Sequence, residues 1–123
     1  MTSITLPISN GEALDKLSIL DIKMGKIQNH ERNIAVKQEY DLIYPLLKNI
    51  IDNHKYHYKC LKWINTLIWN LSDDIRNLGL QNCKDQKYVD LYVKLLATNE
   101  ERFRIKNKIN LLSNSLIKEQ KKL

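Results

Sequence analysis

VKQEYDLIYPLLKNIIDNHKYHYKCLKWINTLIWNLSDDIRNL, Val36 to Leu78, decides the fold. Read at alternating steps of four and three, it gives Val36, Tyr40, Ile43, Leu47, Ile50, His54, His57, Leu61, Ile64, Ile68, Leu71, Ile75 and Leu78. Apart from Tyr40, which is mostly ring, the only polar members of this stripe are two histidines. A period near 3.5 residues held that far means long helices burying one seam against other helices. Pro45 falls inside the first part of the stripe. Proline lacks the backbone donor and crowds the preceding turn, so a kink or break is expected near Leu42–Pro45. Asp52-Asn53 is the best turn site in the stretch. The stripe crosses it in phase, so two helices and one bent helix both fit.

Working outward, residues 3–8, SITLPI, alternate and read as an extended arm or short edge strand. Ser9 or Asn10 can cap a first helix over about 11–28, with Glu12 in its first turn. The second and third helices are expected over about 31–51 and 54–78, with Gly79 as the stop. The fourth is expected over about 85–119, which at 1.5 Å per residue is about 50 Å long. Such an overhang needs a partner, so a homodimer through the C-terminal half of helix 4 is the expected assembly. The fold class is all-α: one domain, an antiparallel bundle of four helices with an extended N-terminal arm.

Composition agrees. The chain has 123 residues, 43% of them hydrophobic, enough for one sizeable core, and only three glycines and two prolines. No apolar run is long enough to span a membrane and the N-terminus lacks a secretion signal, so no membrane partner is expected. Cys60 and Cys83 read as free thiols in a reducing, cytoplasmic setting. Net charge is +6, and residues 101–123 hold seven basic and two acidic residues, +5 of that total. A basic end of this kind raises a nucleic-acid reading, which ranks below a solvated helix face.

The residues that could carry chemistry lie beside the apolar seams. Helix 4 aligns Asn99, Arg102, Lys106 and Asn110 by steps of three, four and four. Helix 1 places Asp15 and Ser18 together, with Lys16 and Lys23 on a second line. Helix 3 aligns Trp69, Asp73 and Arg76. Unpaired charge is costly to bury, so these groups either form interhelical salt bridges or hold a ligand. In the ligand reading, Arg76, Arg102 and Lys106 form a cationic wall for a small anion. Asp15 and Asp73 orient them and Trp69 is the packing wall. His54, His57 and Cys60 fall at metal-like spacing, but a fourth ligand is not indicated, so no metal and no cofactor is assigned. The phosphate-loop, dinucleotide, nucleophile-elbow and metalloprotease motifs are all absent, and no catalytic residue is assigned. A small enzyme acting on a phosphorylated or nucleotide-sugar substrate, with Asp15 or Asp73 as base, is the rival reading.

Three segments together resemble a family of short, helical, uncharacterised proteins of bacteria and some large viruses or phages. They are LDKLSILDIK (Leu14–Lys23), IWNLSDDIR (Ile68–Arg76) and NEERFRIKNKIN (Asn99–Asn110). The resemblance implies an all-helical fold over about 9–119. It marks Asp15, Lys16, Ser18, Lys23, Trp69, Asp73, Arg76, Asn99, Arg102, Lys106 and Asn110 as the polar signature. Ser72 stands where the family pattern has glutamate and Glu100 where it has aspartate. The first departure removes a carboxylate from any acid–base role in that segment.

Overall fold

A computed structural model of the chain describes residues 2–118. Among those residues it holds four α-helices and no strand: α1 Asn10–Lys26, α2 His30–Asn53, α3 Lys55–Leu78 and α4 Gln86–Leu112. The all-α bundle expected from the periodicity is what forms. A single 3-10 turn, Leu80–Asn82, lies in the connection between α3 and α4.

Local chemistry sets each boundary. Ser9 is extended and its Oγ accepts from the Glu12 backbone N–H at 3.1 Å, capping α1. Asn29 caps α2 the same way, accepting from Arg32 N–H at 3.0 Å. α1 stops at Lys26, two residues early, because Ile27 turns extended and its carbonyl accepts from Asn33 Nδ2 at 2.6 Å. Gly79, at φ +78°, ends α3 as expected. The arm over residues 2–8 forms no strand; Ile4 and Leu6 are exposed.

α2 runs unbroken through Pro45, so the expected break does not occur. Pro45 and Asp41 both lie on the exposed side. Water can therefore solvate the Asp41 carbonyl that proline leaves without a donor. The turn into α3 falls at His54 rather than at Asp52-Asn53, and only that residue leaves helical geometry (φ −137°, ψ 42°). Its N–H still reaches Ile51 O at 3.1 Å and its carbonyl accepts from Tyr58 N–H at 3.0 Å. The break therefore leaves no backbone group stranded.

The largest correction concerns α4, which ends at Leu112 and not near 119. Asn114 takes a left-handed φ of 53°. Ser115 N–H then reaches back to Asn110 O at 2.9 Å and Asn114 N–H to Leu111 O at 3.4 Å. This is the paired-bond helix stop that asparagine tolerates better than most residues. The turn is pinned to the start of α1, since Ser115 Oγ accepts from Asn10 N–H at 3.0 Å and Ser113 Oγ from Asn10 Nδ2 at 2.9 Å. The long overhang that called for a dimer is thus replaced by a return to α1. Residue 119, with Lys121 and Lys122, lies outside the described residues.

α1 is the central element and touches the other three helices. α2 returns along it, with Lys16 of α1 bonded to Glu39 of α2 at 3.1 Å. α3 and α4 pack on each other and on α1. The core is Ala13, Leu14, Leu17, Leu47, Leu61, Ile64 and Ile109, with Tyr40, Ile43, Tyr44, Tyr58 and Ile105 among the residues around it. Every position of the Val36–Leu78 stripe is buried or half-buried. No helix among the described residues is long and apolar enough to cross a membrane.

Candidate functional site

The polar strips of α1, α3 and α4 meet around a residue that periodicity alone did not single out, Asn65. Asn65 is buried on α3, and its Nδ2 donates to Asp15 Oδ1 at 2.7 Å and to Ser18 Oγ at 2.8 Å. Ser18 Oγ donates in turn to the Asp15 carbonyl at 2.7 Å. With both amide hydrogens taken by α1, the Asn65 carbonyl faces α4, where Arg102 Nη1 donates to it at 3.4 Å. The hydrogen-bond network thus fixes the amide orientation.

Beside this amide lies a buried charge pair. Lys106 is 7% exposed and Asp15 5%. Lys106 Nζ lies 2.6 Å from Glu12 Oε2 and 3.8 Å from Asp15 Oδ2. Glu12 holds the third position after the Ser9 cap, where such a side chain often bonds back to the cap. Here it reaches across to α4 instead. Two carboxylates about one ammonium offset the cost of removing that charge from water.

Gly11 lets the two helices approach this closely. A Cβ there would overlap the Lys106 carbonyl oxygen and sit 2.9 Å from its carbon. The Gly11 N–H instead donates to Asn110 Oδ1 at 2.6 Å. Asn110 is fully buried, and its Nδ2 has no hydrogen-bond partner among the described residues.

Of the residues expected at the site, Asp15, Ser18, Arg102, Lys106 and Asn110 converge along the α1–α4 contact. Trp69, Arg76 and Arg102 come together in a different way. With Ile19, Asn65, Ile68 and Ser72 they line a groove of about 260 Å³ between α1, α3 and α4. Arg76 is bonded to Asp73 in an exposed ion pair at the outer edge. Of the three cations that Asp15 and Asp73 are expected to orient, Asp73 bonds Arg76, its own neighbour on α3. The spacing of three that aligned the two on one strip also lets them satisfy each other. Lys16 turns outward to Glu39 and lines a separate shallow groove with Glu12, Asp15 and Lys23. Asn99 is half-buried on α4. Lys106, expected on a cationic wall, is taken by Glu12 and Asp15.

Two residues of the cluster, Asn65 and Glu12, are not among the site residues expected from sequence. Asn65 precedes Trp69 by one turn, so it extends the Trp69-Asp73-Arg76 strip backwards. A lone amide between Ile64 and Leu67 was the available signal. Glu12 was legible as a first-turn acid, but its partner is set only by the packing of α4. The His54-His57-Cys60 set does not assemble a site: among the described residues no group of three or more His, Cys, Asp or Glu is placed to hold a metal ion.

No curated protein and no solved structure matches the chain. The Family of unknown function (DUF6165) does, over residues 4–123, and the three polar strips just described all fall within that span. The chain belongs to this family.

Proposed function

We propose that this protein is a non-catalytic helical binding module that takes a small anion at the groove between α1, α3 and α4. One observation carries the reading. Arg102 is half-buried and lines an apolar-walled groove, yet among the described residues it forms no ion pair. Among the described residues it makes one long hydrogen bond, to the Asn65 carbonyl. A guanidinium held partly out of water without a carboxylate offers free donors to one. Its neighbour Lys106, by contrast, is already neutralised by Glu12 and Asp15. A second arginine, Arg76, stands at the same groove in an exposed ion pair, which is worth little and readily exchanged.

The basic end of the chain supports a nucleic-acid reading less well. Of its described members, Lys106 is buried against carboxylates, Arg102 turns inward to Asn65 and Arg104 is paired with Glu101 at 2.9 Å. On that part of α4, Lys108 and the paired Arg104 are the cations left facing water. Free Cys60 and Cys83 fit a reducing compartment.

Thermal unfolding of the full chain, measured against a panel of small carboxylates, sulfate, inorganic phosphate and sugar phosphates, tests the reading. At least one anion is expected to raise the melting temperature of the native chain and to leave that of a folded Arg102→Ala variant unmoved. Equal shifts in both proteins would sink the proposal.

A further inference from the structure

The geometry points to a singly charged carboxylate on a flat, apolar body as the ligand class of the α1–α3–α4 groove. This inference rests on the anion-binding reading above and narrows it.

Charge comes first. Two guanidinium groups line the groove, but Asp73 already faces Arg76, so the mouth carries one uncompensated positive charge. One turn along α4 from Arg102, Lys106 is met by both Glu12 and Asp15, so that ammonium adds no free positive charge to the groove. A dianion such as a phosphate monoester would face one free cation and stay half-neutralised. A monoanion is matched by Arg102 alone.

Geometry agrees with the charge count. Asn65 has both amide hydrogens committed to Asp15 and Ser18, so its carbonyl is fixed toward Arg102 and takes one donor of that guanidinium. The donors that remain form a planar fork. That fork fits a planar, two-oxygen acceptor better than a tetrahedral one. Asn65 is thereby a positioning residue for Arg102.

The walls set the rest of the ligand. Ile19, Ile68 and the half-buried Trp69 give the groove two aliphatic side chains and one indole. Flat apolar rings bury area against such walls and stack on tryptophan. A volume of about 260 Å³ matches a single small ring with its acid group.

Calorimetric titration of the full chain with benzoate, acetate, phenyl phosphate and inorganic phosphate tests this. Benzoate is expected to bind at least about ten-fold more tightly than either acetate or phenyl phosphate. Arg102→Lys, which keeps the charge and loses the fork, is expected to weaken benzoate at least about ten-fold. Trp69→Ala is expected to weaken benzoate while leaving acetate unchanged. Circular dichroism on each variant confirms that it is folded. If phenyl phosphate binds more tightly than benzoate through Arg102, the carboxylate class falls and anion binding stands. If no anion binds, or binding ignores Arg102, both fall.

Discussion

At the scale of single residues, one amide does most to join the elements. Asn65 links α1 to α4 through Asp15, Ser18 and Arg102 while shielded from water. Removing it leaves a buried carboxylate short of a donor and an arginine without its acceptor. Asn65→Ala is therefore expected to cost on the order of 2–4 kcal/mol, read as a lower urea midpoint. Tyr58 shows the opposite case. Its hydroxyl is buried without a hydrogen-bond partner among the described residues, and burial pushes the phenol well above its ordinary pKa of 10.0, with Asp21 adding to the effect. Below about pH 10 both the folded and unfolded chains hold this proton. Above it the unfolded chain releases the proton and the folded chain does not, so stability falls as pH rises. Tyr58→Phe is expected to raise stability near neutrality by up to about 1 kcal/mol and to flatten the alkaline decline, both measurable by urea unfolding at stepped pH. Neither role could be read from spacing. Asn65 and Tyr58 sit beside the seam, and only the path of the neighbouring helices decides whether a polar atom there finds a partner.

At the scale of elements, α2 and the α1–α4 crossing carry opposite lessons about small local rules. Pro45 lies in the middle of a continuous helix, on its exposed side. Local propensity argued for a break there, and packing of the flanking Ile43, Tyr44 and Leu47 around the core holds the helix together regardless. Pro45→Ala restores the missing donor to the Asp41 carbonyl. It is expected to stabilise the fold on the order of 1–3 kcal/mol, seen as a higher melting temperature. Gly11 is the reverse. Alanine is ordinarily the better helix former, yet a Cβ at Gly11 meets the Lys106 backbone, which cannot swing aside as a side chain would. Gly11→Ala is expected to destabilise by about 1–3 kcal/mol despite the propensity gain, with the loss visible in the urea midpoint. The end of α4 belongs to the same scale. Periodicity carried the expected helix through Ser113-Asn114-Ser115, and the stop there is held by the donors that Asn10 supplies.

At the scale of the whole molecule, surface charge contributes little to what holds the helices together. The pairs Lys16–Glu39, Lys37–Asp41, Lys48–Asp52 and Arg104–Glu101 are all substantially exposed. In the Lys106 cluster, by contrast, the ammonium and Asp15 are buried and only Glu12 is open to water. Raising salt from low to about 0.5 M is therefore expected to change the unfolding free energy by less than about 1 kcal/mol, measured by urea titration at both ionic strengths. The sequence by itself determined the helical class, the glycine stop after α3 and the seam that becomes the core, and left to the structure whether α2 and α3 are two helices or one bent one. Each follows from the periodic recurrence of apolar side chains along the chain, which needs no knowledge of distant segments. It also marked Asp15, Ser18, Arg102, Lys106 and Asn110 as misplaced polar groups. Only the tertiary structure decided that Lys106 is neutralised by Glu12 and Asp15 while Arg102 stays without a carboxylate, and that Arg76 closes on Asp73. Which of several nearby partners an ionic side chain takes depends on angstrom-scale distances between helices far apart in sequence. Periodicity fixes the face a residue occupies and leaves open what stands across from it.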